Sequence, residues 1–376
     1  MPGPLCYRVE EVFMISVTHV SFSYPHAPSV FEDVSMELSA GERVVLLGSN
    51  GSGKTTLARL MNGSLMPTDG EVCVDGTNTV DVSSTHSSLQ VGLIRQDPAN
   101  QLISASVFEE VAFGPSHLGL SQPEVLARAE KSLELCGIAH MRDRTTYELS
   151  GGQQQLLAFA ATLALSPHYL VLDEVYVQLD ARTRTKIRSL VTSLVSAGLG
   201  VLELSHSVES LFGASRVLWL HDGRIAWSGS PNDFLQDASR AAAAGLMHTG
   251  YARVLQKAVA RGFDLSAARD IKALGRHLRK KGLQDEAKSL LLERSSSCGR
   301  LSRARLNCDV DSDMCSNAHT LALRKASLTF DTTRALDKVS LESKGELVLL
   351  TGRSGSGKTT AARVLAGVLE ADEGKA

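Results

Sequence analysis

One stretch of this chain occurs twice. Positions 41–56 read GERVVLLGSNGSGKTT, and positions 345–360 read GELVLLTGRSGSGKTT, aligned without a gap and 304 positions apart. Each copy runs from an apolar strand through a glycine-rich loop into a helix start, the context in which GxxxxGK[ST] is a phosphate cradle. Glycine admits positive φ, so consecutive backbone N–H groups can turn inward, and the helix N-terminus adds its partial positive charge. In the first copy Gly48, Asn50, Gly51, Ser52 and Gly53 form the loop; Lys54 is placed to reach phosphate and Thr55, followed by Thr56, to offer a hydroxyl to Mg²⁺. In the second copy the corresponding residues are Gly352, Gly355, Gly357, Lys358, Thr359 and Thr360. A bare glycine-rich turn does not recur in register with GSGKTT at both sites. The expectation is a nucleotide site.

The similarity extends beyond the loops: LARLMNGSL from Leu57 matches AARVLAGVL from Ala361, and VSFSY at 20–24 matches ASLTF at 326–330. The second copy reaches Ala376 where the first is only entering its next strand, so the chain is read as a fragment of a tandem protein. Its full second copy would run to about residue 540. The expected organisation is an extension over 1–13, a first domain over 14–240, a helical appendage over 241–293, a linker over 294–320 and the opening of a second domain over 321–376. Strands are expected at 43–47, 91–95, 169–172, 201–204 and 217–220, and helices at 54–61, 122–135, 153–163 and 181–195. Wholly apolar strands such as VVLL and YLVL, separated by helices, predict a parallel sheet covered on both faces.

Composition narrows the function classes. The charge is nearly balanced, 39 Lys and Arg against 41 Asp and Glu, which speaks against wholesale phosphate neutralisation and hence against nucleic acid as a partner. No apolar run approaches the roughly 18 residues of a membrane span, and no basic-then-apolar leader opens the chain. The cysteines, Cys6, Cys73, Cys136, Cys298, Cys308 and Cys315, are scattered, as in a chain of reduced thiols. Cys298, Cys308 and Cys315 with His319 match none of the usual zinc spacings.

Three further segments carry chemistry. Leu149-Ser150-Gly151-Gly152-Gln153 opens a helix with bare amides and a hydroxyl, an anion-binding end. Tyr169 to Glu174, YLVLDE, is an apolar strand delivering two carboxylates, suited to metal coordination by Asp173 and water activation by Glu174. His206 follows another apolar strand.

In this order the pieces resemble the nucleotide-binding domain of ABC ATPases, over residues 14–237. The resemblance implies a P-loop α/β fold: a parallel-sheet core, an antiparallel β subdomain and an α-helical signature subdomain. It implies ATP and Mg²⁺ as ligands and names roles residue by residue. The Walker A loop is 48–56; Tyr24 stacks on adenine; Gln96 is the Q-loop glutamine near the metal and the attacking water. Ser150, Gly151, Gly152 and Gln153 form the signature that completes a partner domain's site. Thr55 and Asp173 support Mg²⁺, Glu174 is the catalytic glutamate, Asp180 the D-loop aspartate and His206 the switch histidine. In the second copy Phe330 could take the stacking position. The segment RQDPANQLISASVFEEVAFGPSHLGL at 95–120 looks more narrowly like the ATPase subunits of energy-coupling factor (ECF) transporters, and the resemblance places Gln101 on a helix that touches a membrane partner.

That narrower resemblance implies an ATP-hydrolysing subunit of an importer for a vitamin or transition-metal ion, driven by ATP-dependent pairing of two such domains. The partners would be a second ATPase domain, a transmembrane coupling subunit and a separate substrate-binding membrane protein, with the chain peripheral on the cytoplasmic face. A soluble tandem ATPase acting on ribosomes, or the ATPase of another transporter class, is the competing reading. Two departures from the family pattern stand out: Val175-Tyr176 where Pro-Thr is usual, and Leu156 where a basic residue often follows the signature.

Overall fold

Largely apolar runs end up buried along their whole length. In the computed structural model Arg43–Leu47 (β3), Tyr169–Asp173 (β7) and Gly200–Ser205 (β8) are buried at every position. They lie side by side in a six-stranded sheet whose order is β10-β9-β3-β8-β7-β6, with β6 at Val91–Ile94, β9 at Arg216–His221 and β10 at Arg224–Gly229. Neighbours from β6 to β9 are parallel, and only the β9–β10 hairpin is antiparallel. Parallel strands share one carboxyl edge. The segments leaving β3, β6, β7 and β8 therefore open at the same rim, where ligands of such sheets bind.

The structure describes residues 13–83, 87, 89–177, 179–246, 250–268, 271–283, 287, 320–330, 333–344, 356–366 and 371–375. The extension at 1–12, the linker at 294–319, the three cysteines with His319, and Gly352 and Gly355 lie outside these residues, as do the side chains of Thr359 and Phe330. The chain divides into two compact units, Met1–Arg300 and Leu301–Ala376. Among the described residues no helix is long and apolar enough to cross a membrane.

In the first unit, Met14–Ser23 (β1), Ser29–Ser39 (β2), Asp69–Val74 (β4) and the two-residue Thr77–Asn78 (β5) form a separate antiparallel sheet, order β2-β1-β4-β5. Its inner face, with Ile15, Val20, Phe31 and Leu38 fully buried, shares one core with Lys54–Met61 (α1) and the parallel strands. A second core joins Val107–Ser116 (α2), Gln122–Leu135 (α3), Gly151–Ala164 (α4) and Ala181–Ser196 (α5) to the opposite face of the sheet; Leu156, on α4, is buried there. A third core joins Val45, Leu47 and Val217 to Phe234 on Pro231–Gln236 (α6), Ala241 on Ala238–Ala243 (α7), Leu255 on Gly250–Ala260 (α8), Leu265, and Leu274 on Ile271–Lys280 (α9). The appendage expected after residue 240 thus shares its core with β3 and β9.

One element of the sheet departs from an apolar reading. Arg43 on β3 and Glu203 on β8 form a fully enclosed ion pair, and Arg43 also donates to the carbonyls of Phe212 at 2.7 Å and Ser210 at 3.1 Å. Removing one partner of such a pair strands a buried charge, typically at about 3–5 kcal/mol. The pair fastens the segment after His206 to the strand that carries the phosphate loop.

In the second unit, Thr320–Phe330 (β11), Thr333–Lys344 (β12) and Glu373–Lys375 (β13) form a sheet of order β12-β11-β13, with Lys358–Leu365 (α10) against it. Leu323, Ala326, Leu328, Leu336, Ala361 and Val364 make its core.

Candidate nucleotide site

The loop between β3 and α1 turns on Gly51 at φ +80° and Gly53 at φ +98°. A Cβ on Gly53 would lie 2.5 Å from the Phe31 ring, so close packing of the antiparallel sheet against the loop demands glycine as much as the backbone angle does. Lys54 opens α1 and is almost wholly buried; its Nζ donates to the carbonyls of Gly48 and Ser49, both at 2.9 Å, and lies 3.6 Å from Glu174 Oε1. Burial lowers the Lys54 pKa, against the opposing pull of Glu174 and Asp173. The ammonium is thus desolvated and held by weak acceptors, poised for stronger ones.

Thr55 donates from Oγ1 to Asp173 Oδ2 at 2.7 Å, joining the helix N-terminus to the end of β7. Burial raises the Asp173 pKa, with the Thr55 hydrogen bond acting the other way. Glu174, one residue on, sits at φ +50°, a left-handed conformation uncommon outside glycine, with its N–H donating to Leu204 O at 3.2 Å. That turn brings its Oε1 within 3.2 Å of His206 Nδ1 from the end of β8. Strain at a residue of this kind is a common companion of function.

A cleft of about 420 Å³ is lined by Tyr24, Val30, Asn50, Gly51, Gly53, Lys54, Thr55, Thr56, Gln96, Asp173 and Glu174. Tyr24 is placed at its edge by the β1–β2 connection: its hydroxyl lies 3.1 Å from Thr56 Oγ1, and its ring meets Phe22 edge-on at 4.9 Å. Gly48 contributes through its carbonyl to Lys54. Ser52 keeps a buried hydroxyl that has no partner among the described residues. Val30 was not singled out in the sequence; its signal lay in the VSFSY match, which marks a hairpin beside the loop.

The signature and Asp180 stand outside this lining. Ser150 caps α4 reciprocally: its Oγ accepts from Gln153 N at 3.4 Å, while Gln153 Oε1 accepts from Ser150 N at 2.9 Å. The Gln153 carbonyl is therefore engaged in a capping box, which the Ser-x-x-Gln spacing announces. Gly152 packs against Thr183, where a Cβ would fall at 3.0 Å, whereas one on Gly151 would meet nothing. Asp180 caps α5, accepting from Arg182 N, Thr183 N and Thr183 Oγ1. The Thr183 backbone bond is the largest of the influences that hold its carboxyl below the usual range. The signature and the D-loop aspartate thus abut within one domain.

One expectation changes. Gln101 is not on a helix: it follows a single 3₁₀ turn, Pro98–Asn100, and folds back, accepting from Arg95 N at 2.8 Å and donating to Leu93 O at 3.1 Å. Its amide replaces the partners that β6 loses at its end, so the residue closes the loop carrying Gln96. The Val175-Tyr176 departure places both side chains in the core, with the Tyr176 hydroxyl buried and unpartnered among the described residues. In the second unit, Gly357 at φ +82° precedes Lys358 as Gly53 precedes Lys54; Thr360 lies on the same helix, α10.

Comparison with known proteins agrees with this geometry. The family profile described as ABC transporter matches residues 31–177 and again 336–376, so both copies carry it. The energy-coupling factor transporter ATP-binding protein EcfA of Syntrophomonas wolfei is 37% identical over 256 residues, 67% of this chain and 94% of that protein. The cobalt import ATP-binding protein CbiO of Syntrophus aciditrophicus is 37% identical over 220 residues, 58% of this chain and 79% of its own. The solved structure of CbiO1 from Clostridium perfringens, described as part of the ABC transporter complex CbiONQ, superposes with a TM-score of 0.57 at 27% identity, over 66% of this chain and all of that one. The chain belongs to the ABC transporter family, among its ATP-binding and ATP-hydrolysing members.

Proposed function

We propose that this chain powers an energy-coupling factor importer for a vitamin or transition-metal ion, through ATP-driven pairing of nucleotide-binding domains. In this reading residues 14–240 are the ATPase domain, 241–293 its helical appendage and 321–376 the opening of a second domain. The observation that carries it is the division of the site. One cleft gathers Tyr24, Lys54, Thr55, Gln96, Asp173 and Glu174, while Ser150, Gly151 and Gly152 do not line it. The Gly151 and Gly152 amides at the start of this helix in one domain then meet the γ-phosphate held by another, and hydrolysis removes that bridge. The second domain comes from another chain or from further residues of a tandem protein.

Within the cleft the Lys54 ammonium transfers from the carbonyls of Gly48 and Ser49 to phosphate oxygens, a gain in hydrogen-bond strength available only with nucleotide present. The Thr55 hydroxyl, the Asp173 carboxylate and the Gln96 amide oxygen are hard donors that fit Mg²⁺, which when bound neutralises phosphate charge. Glu174 orients and polarises the attacking water, and His206 fixes the Glu174 carboxylate and reaches toward the γ-phosphate. Tyr24 offers a ring face to the base.

The names EcfA and CbiO of the relatives support a membrane assembly: a transmembrane coupling subunit and a separate substrate-binding membrane protein, with this chain peripheral on the cytoplasmic face. Glu174→Gln should retain ATP binding and lose steady-state turnover. Equal hydrolysis by the variant and the parent refutes the assignment. Affinity purification from membranes should bring down a small hydrophobic partner; ribosomes in its place would favour the soluble reading.

A further inference from the structure

A second cavity lies beyond the switch histidine, outside the nucleotide cleft. It measures about 460 Å³ and is enclosed by α5 and by the appendage helices Gly250–Ala260 (α8) and Ile271–Lys280 (α9), with Arg184, Arg188, Glu209 and Tyr251 on its wall. A smaller opening of about 200 Å³ shares both arginines and Glu209 and reaches Glu174 and His206. The larger volume is that of a small-molecule site.

Among the described residues of this wall two cations share one anion. Arg184 Nη1 at 3.2 Å and Arg188 Nη2 at 3.3 Å converge on the same oxygen, Oε2 of Glu209. Arg184 Nη2 donates to Leu179 O at 3.2 Å, and the Arg188 guanidinium stands 5.3 Å from the Tyr176 ring centroid. The Nε–H of each arginine and the hydroxyls of Tyr176 and Tyr251 are buried with no acceptor among the described residues. Burial, aided by Glu209, holds the Tyr251 hydroxyl in its protonated form. Two guanidiniums thus share one carboxylate, with Tyr251 beside them. Among the described residues the wall carries two positive charges against one negative, and guanidinium forks match carboxylate and phosphate best.

We infer that this cavity is a binding site for a small organic anion bearing carboxylate or phosphate groups, held by Arg184, Arg188 and Tyr251. The location gives the ligand leverage. Arg184 bridges Leu179, adjacent to Asp180, and Glu209, three residues past His206, so its partners include both segments that flank the catalytic glutamate. An anion competing for Arg184 alters how firmly those segments are tied.

The test uses the full chain carrying Lys54→Ala, so that the phosphate loop does not compete for the probe. Its thermal midpoint is measured with citrate or with inorganic phosphate, each against sodium chloride of equal ionic strength. A ligand at ten times its dissociation constant should raise the midpoint by about 3 °C. Citrate acting alone identifies a carboxylate ligand and phosphate acting alone a phosphate ester. Adding Arg188→Met or Tyr251→Phe should remove most of the shift, the probe-free melts of these variants reporting on folding. Should Arg188→Met fail to fold, calorimetric titration of Tyr251→Phe decides, with at least a fivefold loss of affinity expected. No shift beyond chloride with either probe, or a shift and affinity unchanged by Tyr251→Phe, overturns the site. None of these readouts involves ATP hydrolysis, so the function proposed above stands or falls separately.

Discussion

The two copies of the repeat keep the same scaffold with different side chains. In the first, Thr18 pairs with Glu71 and Ser21 with Asp69; in the second, Arg324 pairs with Lys375 and Ser327 with Glu373. The kinks match as well. His19 and Lys325 both adopt φ near +50°, Asp33 and Lys338 are left-handed at φ +61° and +48°, and Gly70 and Gly374 stand at +80° and +92°. Histidine and aspartate in one copy, lysine in the other, occupy the same strained positions, so the bulged hairpin imposes the conformation and residue preference does not. What separates the copies is the rim. Lys54 faces a carboxylate pair delivered by β7, whereas the described acids that follow Lys358 serve the small sheet: Asp372 accepts from Thr329 N at 2.7 Å and Glu373 lies in the strand pairing. A phosphate loop is a local structure; a hydrolytic site needs strands that arrive from far along the chain.

The largest test of that contrast exchanges the two lysines for alanine. Lys54→Ala removes charge-assisted hydrogen bonds to phosphate and should weaken ATP binding by about 100-fold and abolish hydrolysis. Lys358→Ala in a protein of these 376 residues should leave turnover within about twofold of the parent, because the carboxylates that face Lys54 are delivered by β7 of the first copy itself. Coupled-enzyme ATPase assays of the pair read this directly. A comparable loss from Lys358→Ala would mean that the second loop completes the first site.

Asp173→Asn sharpens the comparison next, since it removes a carboxylate that β7 delivers to the rim of the first copy. Turnover should fall to background. Stability should move the other way. Burial raises the Asp173 pKa, so the folded state carries a penalty for the charged form. That penalty is absent below the unfolded value of about 3.9, where both states are protonated, and grows as pH rises through the folded value. At neutral pH it is complete. Nucleotide-free Asp173→Asn should therefore melt a few degrees above the parent at pH 7, and the advantage should vanish in strongly acidic solution. Calorimetric scans at the two pH values check both signs.

The sequence made the central sheet legible because its strands carry short apolar runs such as VVLL and YLVL: the expected strand at 43–47 and helices at 54–61 and 122–135 coincide with Arg43–Leu47, Lys54–Met61 and Gln122–Leu135. The site was legible wherever a motif fixes local backbone, as at Gly53-Lys54-Thr55, or ends a strand, as at Asp173-Glu174. Long-range polar contacts were not. Arg43 and Glu203 read as ordinary charged residues bordering or interrupting apolar runs, and nothing local announces that β3 and β8 are neighbours that place them together. Gln101 misled for a related reason: the family resemblance places it on a helix, but the amide is held by Arg95 and Leu93, backbone partners freed where β6 ends. Pattern reveals periodicity and turns; it does not reveal which side chain will satisfy a strand that stops.

The smallest effect comes from making the first copy carry the aromatic residue that the sequence places in the second. Phe330 aligns with Tyr24, and Tyr24→Phe keeps the ring while deleting the hydroxyl 3.1 Å from Thr56 Oγ1. Thr56 sits one residue beyond Thr55, so the lost bond loosens both the ring and the first turn of α1. A neutral hydrogen bond of this kind is worth about 1 kcal/mol, which corresponds to roughly a fivefold weaker nucleotide. Tyr24→Ala should cost more, because stacking of a base on an aromatic ring is worth about 1–3 kcal/mol. Fluorescent-nucleotide titrations of the two variants separate the contributions. If Tyr24→Phe and Tyr24→Ala bind alike, the ring does not stack, and the hydroxyl alone is what the first copy gains by having tyrosine.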